Sequence, residues 1–198
     1  MHTVMQIQYF KQKLLLLLQD IVAIESEEDF DEILNSFSYK KFSKNQVVLN
    51  NGNICKEFYF IVTGCMRVFF VSEQGNEKTN HIAFENSIIT AMSSFITQTP
   101  SFENIDVLED AEVLILSNSD FYKLVQTNKI WQTCYVKILE KAYITKVKRI
   151  ENRITLQAKQ RYDVLMKENP YIFSRIPNHI IASYLDMSQE TLSRLKSM

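Results

Sequence analysis

The sequence predicts an α+β fold: an N-terminal antiparallel β-roll of the jelly-roll kind flanked by helices, then a long helix, then a C-terminal helix-turn-helix. Three observations predict it. Short β-branched and aromatic runs recur between Tyr39 and Leu116, punctuated by turn residues. From Ile130 onward the apolar positions return at helical steps. The segment from Pro177 to Met198 then reads as two short helices around a sharp break at Asp186-Met187.

Residues 5–35 read as helical. The apolar run Leu14 to Leu18 is far shorter than the roughly 20 residues that span a bilayer, so it reads as the buried side of an amphipathic helix. No signal peptide is legible. Ser26 is a candidate N-cap with Asp29 as its acidic partner, and Phe30, Ile33 and Leu34 form an apolar face.

The strand runs are Val47–Leu49, Phe58–Val62, Met66–Val71, Ile82–Phe84, Ile105–Leu108 and Val113–Leu116. The chain has only three glycines, Gly52, Gly64 and Gly75, and each lies between two of these runs. Glycine takes positive φ most cheaply, so all three are expected at turns.

On the long helix, Val136, Leu139, Tyr143, Val147, Ile150 and Ile154 make a stripe, with Lys137, Lys141, Lys146, Lys148 and Arg149 around it. An apolar seam with wet flanks is the pattern of an oligomerisation helix, and these six residues are the candidate homodimer interface. A further helix near Leu156–Lys167 and a loop from Asn169 to Ile176 lead onward.

In the terminal segment Pro177 suits a helix's first turn. Ile180, Ile181, Tyr184 and Leu185 supply one apolar face. Asp186 sits at the turn, where Asp tolerates left-handed backbone. Ser188 is a good N-cap for the second helix, in which Leu192 and Leu195 point inward with Met187. Ser188, Gln189, Glu190, Ser193, Arg194 and Lys196 are the candidate DNA-binding residues, of types that bond base edges or phosphates.

The net charge of −1 hides a division. Residues 1–122 hold 8 Lys and Arg against 17 Asp and Glu, a balance of −9, whereas residues 123–198 hold 14 against 6, a balance of +8. A basic C-terminal part favours a polyanionic partner. Cys55, Cys65 and Cys134 are odd in number and in no metal-ligand pattern, so reduced thiols in the cytoplasm are expected. His2, His81 and His179 are isolated, and no metal site, cofactor or nucleophile–base constellation is legible. Catalysis has no foothold, and no enzyme is expected.

The segment IIASYLDMSQETLSRLKSM resembles the helix-turn-helix of the Crp/Fnr family of bacterial transcription regulators, matching its S-x-E-T-[LV]-x-R motif at Ser188, Glu190, Thr191, Leu192 and Arg194. FYFIVTGCMRVFFVSEQGNEK is similar to the family's cyclic-nucleotide-binding β-roll, so the resemblance covers residues 30–198. It implies that Gln189, Glu190 and Arg194 contact bases, that Ser188 lies near a phosphate, and that the long helix is the dimer helix. Partners implied are double-stranded DNA, a second copy and RNA polymerase, with no membrane. Two departures stand out: Asp186 replaces the usual turn glycine, and the end at Met198 leaves no room for a β-hairpin wing.

Aligned on the family pattern, the glycine–glutamate and arginine–serine pairs that hold a cyclic nucleotide fall on Thr90-Ala91 and Ser101-Phe102. Neither the glutamate nor the arginine is present. Between Lys78 and Lys123 there is no Lys or Arg, while Glu85, Glu103, Asp106, Glu109, Asp110, Glu112 and Asp120 supply seven carboxylates. A buried phosphodiester needs a compensating cation or converging N–H donors, so cyclic AMP is not the expected effector. Thr90, Ala91, Met92, Ser101, Phe102 and Glu103 mark the candidate effector pocket. Either it holds an unidentified neutral or apolar small molecule, or Phe95, Ile96 and Phe102 fill it.

The expected organisation is an effector-type β-roll domain over 1–122, a dimerisation helix over 123–155 and a DNA-binding domain over 156–198. The expected function is a sequence-specific homodimeric transcription regulator acting on an inverted repeat. The alternative is a small-molecule-sensing β-roll that acts through protein contacts, with vestigial DNA binding. The low cation count after Pro177 (Arg194 and Lys196) keeps it open.

Overall fold

The computed structural model describes residues 2–22 and 30–197. The candidate cap Ser26 and its partner Asp29 lie outside the described residues. The helices are α1 (His2–Ile21), α2 (Asp31–Ser36), α3 (Met92–Thr97), α4 (Asn118–Thr127), α5 (Lys129–Thr155), α6 (Ala158–Glu168), α7 (Ile172–Arg175), α8 (Asn178–Tyr184) and α9 (Gln189–Lys196). The strands are β1 (Ser38–Phe42), β2 (Val47–Leu49), β3 (Glu57–Val71), β4 (Glu77–Ala83), β5 (Ser87–Ile89) and β6 (Asn104–Ser117). The expected α+β β-roll with a long helix and C-terminal helices is therefore present.

The strands form one sheet in the order β1-β6-β3-β4, with β2 also on β6 and β5 also on β3. The β1–β6 ladder is antiparallel, from Ser38 opposite Ile115 to Phe42 opposite Ala111. β2 joins the same strand further along, with Val47 opposite Asp106.

Two strand assignments need correction. Phe58–Val62 and Met66–Val71 are one continuous strand, and Gly64 is no turn. Likewise Ile105–Leu108 and Val113–Leu116 are joined in β6. Gly64 does take positive φ, 89°. A β-carbon there would overlap the Asp110 carbonyl oxygen and sit 2.8 Å from the Ala111 α-carbon. Glycine is used for close passage of two long strands at a bend, a second use of the same conformational freedom. Gly52 and Gly75 do mark turns, closed by Asn53 N–H to Asn50 O at 3.1 Å and Gly75 N–H to Ser72 O at 2.8 Å.

The chain divides into two compact units, Met1–Val68 with Ile82–Glu140, and Phe69–His81 with Lys141–Met198. The first has its core between the roll and its helices. Leu14, Leu15 and Leu18 are buried as expected, whereas Leu16 is exposed, because a helix turns one residue of any such run outward. Phe30, Ile33 and Leu34 are buried. An aromatic cluster centres on Phe121, whose ring lies 5.2 Å from Phe58, 5.1 Å from Phe95 and 5.2 Å from Trp131. α4 begins at the N-cap Ser117, whose hydroxyl accepts from Asp120 N–H at 3.1 Å.

The second unit contains the tip of the β3–β4 hairpin and the C-terminal helices, a grouping that no linear division of the chain expresses. Its small core is Leu165, Ile172, Ile176, Ile180, Ile181, Leu185 and Leu192. The stretch read as a loop from Asn169 to Ile176 contains the one-turn helix α7, whose Ile172, with the Ile176 that follows it, is buried in that core.

Candidate nucleic-acid interface

α8 and α9 are built by local rules. Pro177 opens α8, and Ile180, Ile181 and Leu185 bury its apolar face. The chain then reverses at Asp186, with φ 52°, and the Met187 N–H closes the turn on the Ala182 carbonyl at 3.0 Å. Ser188 caps α9, its hydroxyl accepting from Thr191 N–H at 3.1 Å. Leu192 is fully buried behind the helix, while Leu195 and Met187 are half-buried beside it.

All six sequence-selected residues, Ser188, Gln189, Glu190, Ser193, Arg194 and Lys196, are exposed. Glu190 and Arg194, four residues apart, share the face opposite Leu192, and Gln189 and Ser193, also four apart, lie exposed along its edge. Lys196 flanks that face: its ammonium donates to Asn178 Oδ1 at 3.0 Å and lies 5.2 Å from the Phe173 ring centre.

Sequence reasoning did not single out the residues that hold this motif from behind. Arg161 on α6 donates from Nε to the Leu185 carbonyl at 2.9 Å, and from Nη2 to the Asp186 carbonyl at 3.2 Å. It thereby satisfies carbonyls that a helix end leaves open. Arg149 on α5 donates from Nη2 to the carbonyls of Thr79, at 2.9 Å, and Tyr184, at 3.2 Å, with its guanidinium 4.0 Å from the Tyr184 ring centre. Ser183 on α8 accepts from Thr79 N–H at 2.9 Å and donates to the Glu77 carbonyl at 3.0 Å. The Asp186 carboxylate meets Arg153 at 3.2 Å and Lys78 at 3.6 Å. Partial burial raises its pKa, but Arg153 and Lys78 outweigh that, and the net shift is downward.

His81 on β4 is half-buried in the same unit. Burial first, then the charges of Arg149 and Lys146, push its imidazole down to about 4, so it is neutral at physiological pH. Among the described residues no group of three or more His, Cys, Asp or Glu is placed to hold a metal ion.

The helix-face residues fall as a partly uncovered stripe. Val136, Tyr143, Ile150 and Ile154 are exposed, Ile154 to 78%, and Leu139 and Val147 are half-buried. Val136, Tyr143 and Ile150 recur every seven residues on α5, a helix about 40 Å long.

The candidate effector residues lie around α3. Ala91 and Ser101 are buried, Thr90, Met92 and Glu103 are intermediate, and Phe102 is 80% exposed. The polar ones are bonded within the protein: Thr90 Oγ1 to the Glu57 carbonyl at 2.9 Å, and Ser101 Oγ to the Glu103 carbonyl at 3.0 Å. Of the three side chains that could fill the space, Phe95 is in the aromatic core, whereas Ile96 and Phe102 face outward. The one cation on the strands flanking this region, Arg67, is held by both oxygens of Asp106 at 2.8 and 2.9 Å.

Residues 39–128 match the cyclic nucleotide-binding domain family. A curated relative, the anaerobic regulatory protein of Bacillus subtilis (strain 168), is 27% identical over 104 residues, which is 52% of this chain and 44% of that protein. The structure of FixK2 from Bradyrhizobium japonicum superposes with a TM-score of 0.70 at 13% identity, covering 81% of this chain and 83% of that one. A structure described as a crp/fnr-family regulator from Eubacterium rectale gives a TM-score of 0.67 at 17% identity, covering 86% and 82%. Fold and motif together define a β-roll of the cyclic nucleotide-binding class followed by a helix-turn-helix. Residues 39–128 carry the cyclic nucleotide-binding β-roll, and the chain is similar in fold to the crp/fnr-family structure it superposes on.

Proposed function

We propose that the chain is a sequence-specific DNA-binding transcription regulator that works as a homodimer in the cytoplasm and does not respond to cyclic AMP. The observation that carries this is the face of α9: Gln189, Glu190, Ser193 and Arg194 are presented together, exposed, over a helix anchored by Leu192. In this reading Arg194, Gln189 and Glu190 read base edges in the major groove, and Ser188 and Lys196 bond the phosphate backbone. The exposed stripe on α5 closes against its copy in a second chain. Two recognition helices related by a twofold axis then enter successive major grooves, on an inverted repeat with half-sites about 34 Å apart. RNA polymerase is the downstream partner, and the protein has no catalytic activity.

Similarity to the anaerobic regulatory protein of Bacillus subtilis supports a regulatory role. The absence of cyclic AMP binding rests on Arg67 being already neutralised by Asp106, and on the missing cation between Lys78 and Lys123. In-vitro selection from a random duplex library tests the reading: enrichment of a palindrome supports it. Recovery of no consensus, with no salt-sensitive binding to random duplex, overturns it.

A further inference from the structure

The turn before α9 has an electrostatic feature that the DNA-reading proposal does not use. Asp186 lies two residues before the N-cap Ser188, where the helix leaves backbone N–H groups and a positive dipole end facing outward. Its carboxylate gathers Lys78 from β4 and Arg153 from α5. The side chains of Lys78, Arg153 and Asp186 are 60%, 53% and 41% exposed, so the cluster is in contact with solvent. Two cations are thereby held by the residue two before the N-cap of the helix that, on the reading above, enters the groove.

We infer that Lys78 and Arg153 form a phosphate-backbone contact surface beside α9, and that Asp186 is an internal counterion that occupies them until DNA phosphate takes its place. The inference rests on the DNA-binding reading above. Exposed ion pairs of this kind stabilise only weakly, so exchange with a duplex is easily driven. The exchange has a direction. A phosphate drawn to the cations finds Asp186 already there, so the carboxylate lowers the electrostatic share of affinity that every sequence enjoys and leaves base reading by Arg194 untouched. The backbone does not depend on the carboxylate. The Asp186 carbonyl is held by Arg161, and Asn, which keeps the side-chain size, tolerates the same left-handed conformation.

Asp186→Asn is the test, read by fluorescence anisotropy on a random-sequence duplex across a salt series. Far-ultraviolet circular dichroism and a thermal midpoint establish that the fold is kept, and Asp186→Gly serves as a second variant with the backbone freedom that φ 52° favours. The neutral variant is expected to bind random duplex about tenfold more tightly at low salt, with a log–log salt slope steeper by about one to two ions per protomer. Adding Lys78→Ala and Arg153→Ala to Asp186→Asn should return both quantities to the wild-type range or below. An unchanged slope in a folded variant, or loss of the fold in both variants, overturns the inference: Asp186 is then only a brace. If the wild-type protein itself shows no salt-sensitive duplex binding, the DNA-reading proposal fails and takes this inference with it. Wild-type binding with an unmoved Asp186→Asn sinks this inference alone.

Discussion

Gly64 and Ala111 meet where the two longest strands bend: a β-carbon on Gly64 would lie 2.8 Å from the Ala111 α-carbon and 3.0 Å from its β-carbon. These two atoms and the Asp110 carbonyl oxygen beside them belong to backbone or a methyl stub, so no flexible side chain can yield. Gly64→Ala adds this overlap to a backbone held at φ 89°. A destabilisation of about 2–4 kcal/mol is expected from the strained conformation and the displaced strand, measured as a fall in the urea midpoint. Gly75→Ala meets no atom within 4 Å and should cost less, its φ of 80° being the only penalty.

For Arg194, truncation to Ala should weaken binding to the selected operator far more than to random DNA. An Arg bonding a guanine edge in two places discriminates by roughly 1–3 kcal/mol, so preference should relax at one symmetric base-pair position. Lys196→Ala should lower both affinities together and reduce the salt slope by about one ion. Anisotropy with both duplexes separates the two outcomes. Equal losses for Arg194→Ala would leave it a phosphate contact only.

On α5, Ile150 is 56% exposed and Val147 lies three residues before it. If this stripe is the dimer seam, Ile150→Glu places two carboxylates in an apolar contact at several kcal/mol for the pair. Sedimentation should then show monomer, with operator binding lost in parallel. A persisting dimer would place the interface elsewhere.

Cyclic AMP should neither bind measurably nor alter DNA affinity. Ser101 stands where the family pattern places its arginine, and Arg67 is held by Asp106. Calorimetric titration showing micromolar affinity would refute this.

Acid should act partly through His81. Its imidazole is depressed from 6.5 to about 4 in the folded chain, so between those values the unfolded chain binds a proton that the folded one does not. The stability His81 confers is therefore present above pH 6.5 and declines as pH falls towards 4, at up to about 1.4 kcal/mol per pH unit. His81→Gln should flatten the urea midpoint against pH in that window. An identical slope in both proteins would show that His81 contributes nothing there.

Helices α8 and α9 were legible because their determinants are local: Pro177, Ser188 and Leu192 act within a turn or two of themselves. The role of Gly64 was not, since the atoms that require glycine there belong to Asp110 and Ala111, far along the chain. Strand β1, with the sequence SYKKF, carries little apolar periodicity, and pairing with β6 is what makes it a strand. The sequence sets Arg149 only among the cations around the α5 stripe and does not single out Arg161 at all. Their partners are main-chain carbonyls, which no side-chain pattern announces.

Ser183 bridges the Glu77 carbonyl and the Thr79 amide across 106 and 104 residues of chain. The C-terminal helices are thus no cassette that can be cut loose and grafted: any division between His81 and Lys141 parts Ser183 from both its partners. During synthesis the hairpin tip emerges long before the helix that completes it. The unit can close only once α8 has been made, so its assembly is a late, long-range step.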